Sequence, residues 1–280
     1  MEVDALFGGQ NMQSLLKVEN LVKGYERQNV AGSREKLLAL DNVSFAVDPG
    51  STLAVVGESG SGKSTLAFCI SCLEMPTSGN IWFEGRDIIA LAENEKRQIR
   101  PRIQLIFQDP SNSLNPRWSV EEILLEPLTL QGKLKRGEMK QRAVALLAQV
   151  GLPSDMFPRL PGQLSGGQRQ RLAVARALAL EPKLLILDEA LSALDCSVQA
   201  QIANLLIELQ HALGMTYLFI THDLAMAAYL ADEIAVMSRG RVVEQGPAEK
   251  VLWHPKEEIT RDLLAAMPSL NSAARPPLES

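Results

Sequence analysis

TLAVVGESGSGKSTLAFCI, residues 52–70, decides the fold. TLAVV is a short apolar run of strand length, and LAFCI opens an apolar helical segment. Between them, residues 57–64 match G-x-x-x-x-G-K-[ST] in the strand–loop–helix setting that gives this motif its meaning. Gly57, Gly60 and Gly62 let the backbone curl, so that the amides of Glu58, Ser59, Ser61 and Thr65 turn inward with theirs. Converging N–H groups at the positive end of a helix make a phosphate cradle. Lys63 is placed to reach the β- and γ-phosphates of a nucleotide and Ser64 to ligate Mg²⁺. The bland alternative, a merely flexible glycine loop, does not account for the strand before it and the helix after it.

Outward from this loop, other apolar runs also end in reactive groups. LLILDE (184–189) is a buried strand that delivers Asp188 to its C-terminal end, where ligands of open α/β sheets bind. Asp188 suits Mg²⁺ there, and Glu189 suits a base that orients an attacking water. FITHD places His222 after a further apolar strand, within reach of a γ-phosphate. In IQLIFQDP an apolar run also ends at Gln108, whose amide can serve both metal and water. Alternating apolar strands and helices imply an α/β fold, a parallel sheet covered by helices. The alternating stretch LLALDNVSFAV (37–47) and LLKVENLVKGY (15–25), which reads as strand, turn and strand, predict an antiparallel β layer before it. QNVAGSREK (28–36) reads as a hairpin loop. From about 92 the charged stretches AENEKRQIR, VEEILLEPL and KRGEMKQRAVALLAQVGL predict an inserted helical subdomain over about 96–170.

LSGGQ (164–168) opens a further long helix with one serine and two glycines. That is a second anion-binding helix start, in a chain that already has a better phosphate loop.

Bulk composition narrows the function classes. The chain has 280 residues, 46% of them hydrophobic, enough for a sizeable core. A net charge of −5 argues against nucleic acid as the main ligand. No apolar run approaches the roughly 18 residues of a membrane span. The acidic N-terminus lacks the order of a signal peptide, which predicts a cytoplasmic chain. Residues 1–14 read as a flexible leader with Met12 as an alternative start, and 251–280 as a C-terminal extension, helical near 256–266. Cys69 and Cys72 form CISC, but no second pair or nearby His completes a metal set. They read as small core residues on a buried helix.

Taken together, these residues resemble the ATP-binding cassette (ABC) ATPases, with order and spacing agreeing over about 15–250. GESGSGKS looks like the Walker A loop, LLILDE like Walker B with its glutamate, and LSGGQ like the family signature. Gln108 matches the Q-loop, SALD (192–195) the D-loop ending in Asp195, and His222 the switch histidine. Tyr25 falls where the family has an aromatic residue stacked on adenine. The resemblance implies ATP and Mg²⁺ as cofactors and two cassettes packed head to tail. Ser165, Gly166, Gly167 and Gln168 would then cap a nucleotide held by the other subunit, which answers what the second anion site is for. It also implies two transmembrane permease subunits and an extracytoplasmic solute-binding protein, with this chain peripheral at the cytoplasmic membrane face. FQDPSNSLNPRWSV (107–120), stiffened by Pro110, Pro116 and Trp118, is similar to the permease-coupling segment of the peptide/nickel importer subfamily.

Three departures stand out. Ala190 replaces the usual proline after the glutamate, the tail reads HPKEEITRDLL where HPYT is common, and no cysteine beyond 196 is present for an iron–sulfur centre. The expected function is the energising subunit of a di- or oligopeptide importer. The alternatives are a nickel or metal-chelate importer, an exporter subunit, and an ABC ATPase acting on DNA or ribosomes. A P-loop kinase or GTPase would lack LSGGQ, and a GTPase would carry N-K-x-D.

Overall fold

The computed structural model describes residues 14–28, 34–108 and 113–266. The expected leader up to residue 13, loop residues 29–33, Pro110 and the tail beyond 266 lie outside them.

Two sheets share the core. The smaller is antiparallel, in the order β2-β1-β4-β5, from β1 (Leu16–Gln28), β2 (Arg34–Val47), β4 (Ser78–Phe83) and β5 (Arg86–Asp87). The larger runs β10-β9-β3-β8-β7-β6. Its parallel strands are β3 (Thr52–Val56), β6 (Ile103–Ile106), β7 (Leu184–Asp188), β8 (Thr216–Thr221) and β9 (Glu233–Ser238). β10 (Arg241–Pro247) is antiparallel to β9 at the edge.

β3, β7 and β8 are buried along their whole length, because both faces of the parallel sheet are covered. Side chains alternate between two cores as the pleat requires. Leu53, Val55, Leu184, Ile186, Leu218 and Ile220 face the antiparallel sheet and α1 (Lys63–Ile70). Ala54, Val56, Leu185, Leu187, Tyr217 and Phe219 face the opposite helical layer. That layer includes α3 (Val120–Gln131), α4 (Arg136–Gln149), α5 (Gly166–Leu178), α6 (Cys196–Leu213) and α7 (Leu224–Leu230). α2 (Glu93–Ile99) precedes β6, while α8 (Ala248–Trp253) and α9 (Glu258–Ala265) follow β10.

Local chemistry sets the helix starts. At α3, Ser119 Oγ accepts from the Glu122 amide at 3.3 Å, and Glu122 Oε2 accepts from the Ser119 amide at 2.7 Å, a capping box.

Three sequence expectations are corrected. LLKVENLVKGY is one strand, because Asn20 takes a left-handed φ of 49° within a bulge and pairing resumes at Leu21. The block expected to be helical from about 92 is interrupted: AENEKRQIR forms α2, but Ile103–Ile106 then pairs with β7 in the large sheet, and α3 and α4 follow β6. Cys72 is not on a helix with Cys69. α1 ends at Ile70, and Cys72 has φ 56°. Cys69 is buried, and burial pushes its thiol up to about 12.

Candidate active site

The C-terminal ends of β3, β6, β7 and β8 lie side by side and carry Gly57, Phe107–Gln108, Asp188–Glu189 and Thr221–His222 respectively.

The phosphate loop is held closed by its neighbours. A Cβ at Gly57 would sit 2.1 Å from Met237 O, and one at Gly62 2.3 Å from Ala39 O at φ 105°. Only glycine allows those approaches. Ser61 O accepts from the Gly240 amide at 2.9 Å, and Gly240 O accepts from the Asp41 amide at 2.8 Å, which ties the loop to β2. Lys63 Nζ donates to the carbonyls of Gly57 and Glu58, both at 2.8 Å, so its ammonium sits within the loop. Burial lowers the Lys63 pKa, opposed by the charges of Glu189 and Asp188.

Asp188 is 6% exposed. Burial raises its pKa, and the Ser64 hydroxyl, which donates to Oδ1 at 3.2 Å, works against that. A hydroxyl beside a carboxylate is a set of hard oxygen donors. It fits Mg²⁺, which takes one or two carboxylates and completes its shell with substrate phosphates and water.

Glu189 adopts a left-handed φ of 48°, held by its amide donating to Ile220 O at 2.9 Å. A non-glycine residue in that region is costly unless its surroundings enforce it, and such strain clusters at functional sites. His222 Nδ1 lies 3.5 Å from Glu189 Oε1. Gln108 Nε2 donates to Ser192 Oγ at 3.4 Å, and Ser192 Oγ donates to Glu189 O at 2.9 Å. Ser192 thus links Gln108 to the glutamate. The sequence offered one signal for it, a serine three residues after Glu189, since serine hydroxyls bond back to nearby carbonyls.

Lys63, Ser64, Asp188, Glu189, His222 and Gln108 are therefore gathered at one sheet end. Tyr25 stands apart, against α1, where burial and then Glu74 raise its hydroxyl pKa. The LSGGQ residues are elsewhere. Ser165 caps α5 in a box with Gln168, Oγ accepting from the Gln168 amide at 3.2 Å and Gln168 Oε1 accepting from the Ser165 amide at 2.9 Å. A Cβ on Gly166 would meet Leu194, and one on Gly167 would meet Val198 at 2.6 Å, so this helix start packs on the turn before α6 and on the first turn of α6. Asp195 is the N-cap residue of α6, although its side chain makes no cap bond. No hydrogen bond or ion pair among the described residues joins residues 165–168 to the phosphate loop.

Residues 40–192, more than half of the chain, match the ABC transporter family. The chain belongs to that family. It is an ABC ATPase, and two curated relatives show how far the likeness extends. The dipeptide transport ATP-binding protein DppF of Escherichia coli K12 is 44% identical over 260 residues, covering 92% of this chain and 78% of that protein. A probable peptide ABC transporter ATP-binding protein of Sinorhizobium fredii, y4tS, is 48% identical over 261 residues, covering 91% and 73%. Among solved structures, the dimeric post-hydrolysis state of the cassette MJ0796 bound to ADP and Pi gives a TM-score of 0.74 at 31% identity. It covers 83% of this chain and 98% of that one. CbiO1 of Clostridium perfringens, part of the transporter complex CbiONQ, gives the same TM-score and identity, covering 92% and 97%. The family match includes the phosphate loop, LSGGQ, Asp188 and Glu189 but stops before His222 and begins after Tyr25. In this cassette no helix of the described residues is long and apolar enough to cross a membrane.

Proposed function

We propose that this cassette is the ATP-hydrolysing subunit of an importer of di- or oligopeptides. It works at the cytoplasmic membrane face with a second ATPase subunit, identical or different, and two transmembrane permease subunits. An extracytoplasmic solute-binding protein supplies the cargo. The observation that carries the reading is the cluster of Lys63, Ser64, Asp188, Glu189 and His222 at the ends of three adjacent parallel strands. Peptide is favoured over nickel because the curated relatives carry peptide names. The ATPase domain spans 15–250 in this reading, with the helical segment over about 96–170, interrupted by β6, as a subdomain and 251–280 as an extension.

The chemistry follows from the positions. Tyr25 stacks on the adenine. The amides of residues 57–65 and the Lys63 ammonium hold the β- and γ-phosphates, where preorganised donors do most when charge develops. Ser64 and Asp188 would hold Mg²⁺, assisted by Gln108, and the ion would supply charge neutralisation for the transferring phosphate. Glu189 takes a proton from the attacking water as its oxygen approaches the γ-phosphorus, and the bond to the ADP oxygen breaks. His222 and Gln108 hold the γ-phosphate and the water in line. Ser165, Gly166, Gly167 and Gln168 of the second cassette close over the γ-phosphate, with Asp195 beside the junction. Turnover then requires closure of the pair, so binding does mechanical work before the bond breaks.

Uptake of labelled dipeptide and of labelled nickel, side by side in a strain lacking the gene, tests this. Loss of dipeptide uptake alone is expected. Loss of nickel uptake alone overturns the cargo.

A further inference from the structure

Helix α1 begins at Lys63, inside the phosphate loop, and ends at Ile70. The chain beyond it turns back against β1 and pins three consecutive residues of that strand. Tyr25 donates its hydroxyl to Glu74 Oε2 at 2.6 Å. Lys23 Nζ lies 3.0 Å from Glu74 Oε1 and donates to Met75 O at 2.7 Å. The Gly24 amide donates to Thr77 Oγ1 at 3.0 Å. The Lys23 ammonium also stands 5.0 Å over the Tyr25 ring, in cation–π range. The same Tyr25 hydroxyl also interacts with the Thr65 side chain in the first turn of α1. Glu74 is thus claimed from both sides, and the Tyr25 hydroxyl and Lys23 hold its carboxyl below the usual range.

We propose that Glu74 and Lys23 are positioning residues for the nucleotide base. They hold the Tyr25 ring against α1, whose N-terminal end holds the phosphates, and so fix the base platform relative to the phosphate loop. With the ammonium over one face of the ring, the base stacks on the other. This rests on the assignment of Tyr25 to adenine.

The platform makes the same contact before and during phosphoryl transfer. A loosened ring therefore weakens ground state and transition state alike, which raises KM and spares kcat.

The test is the KM and kcat for ATP in the assembled transporter. Tyr25→Ala is expected to raise KM most. Tyr25→Phe and Glu74→Ala should each raise it roughly threefold to tenfold with kcat retained, the scale of one ordinary net hydrogen bond. The double variant should add little to the larger single effect, because both remove one interaction. Glu74→Gln, which still accepts from the hydroxyl, should recover part of the loss. If Tyr25→Ala raises KM while Tyr25→Phe and Glu74→Ala leave it unchanged, the clamp is wrong and the stacking stands. If Tyr25→Ala leaves KM unchanged, the stacking itself is wrong and the clamp falls with it. If Glu74→Ala lowers kcat together with Tm, Glu74 is a structural residue and the inference is overturned.

Discussion

The phosphate loop and the LSGGQ helix start are both anion sites built from glycines and a helix N-terminus, yet they are finished differently. Residues 57–65 are braced by other parts of the same chain: Met237 and Ala39 crowd Gly57 and Gly62, and Gly240 bonds Ser61. Their cation, Lys63, is already in place. Among the described residues, the side chains of Ser165 and Gln168 cap each other's amides, and Gly166 and Gly167 rest on Leu194 and Val198. A site braced throughout is complete in one chain. A helix start whose side chains cap each other, and whose nearest cation, Arg169, is turned back onto Leu164 O at 2.8 Å, is made to meet a ligand brought from outside.

Glu189→Gln tests the first half of this comparison and carries the largest expected effect. Turnover should fall about a hundredfold to ten-thousandfold, the range for a lost general base. ATP binding should persist, because Lys63 and the loop amides are untouched, and titration with a fluorescent ATP analogue measures it. Turnover at the parent rate would sink the assignment of Glu189.

Ser165→Ala tests the other half with a smaller effect. It removes a hydroxyl that caps α5 and that, in the proposed cycle, contacts a phosphate on the second cassette. Turnover of the assembled transporter should drop roughly tenfold. ATP affinity of the isolated subunit should not change. Equal losses in both measurements would mean that the two anion sites serve the same nucleotide within one chain.

Much of this was legible in the sequence, for physical reasons that differ by residue. The strand–loop–helix around Gly57–Thr65 is local, so its motif carries its own context. Asp188 and His222 were legible because each ends an apolar strand, and parallel strands bring their C-terminal ends together. Three features were not legible. The bulge at Asn20 depends on pairing with β2 and β4. Strand β6 is only four residues long, among charged helical stretches. The link from Ser192 to Gln108 joins residues 84 apart in sequence.

Each half also holds a buried polar group with too few partners, and here the expected effects are smallest. Asp188 is a buried carboxylate with a raised pKa, so ionising it works against folding. The sign follows: the folded state favours the proton, stability is full at low pH, and it is lost as pH rises through the raised pKa. Asp188→Asn should therefore raise Tm near neutral pH by about 2–4 °C per kcal/mol relieved, a gain that shrinks in acid. Turnover should be lost. The counterpart is Gln170 on α5, fully buried, with neither amide atom bonded among the described residues. It lies three and four residues beyond Gly167 and Gly166, on the face that packs toward α6. An unpaired buried amide costs about 1–3 kcal/mol. Gln170→Leu, close in volume, should raise Tm by a similar few degrees in scanning calorimetry and leave turnover unchanged, because this amide reaches no phosphate. A fall in Tm would mean that the amide is bonded after all. A gain in Tm with lost turnover would place Gln170 in the closing of the cassette pair, and the signature half would then hold a strained group at its working site, as the phosphate half does at Glu189.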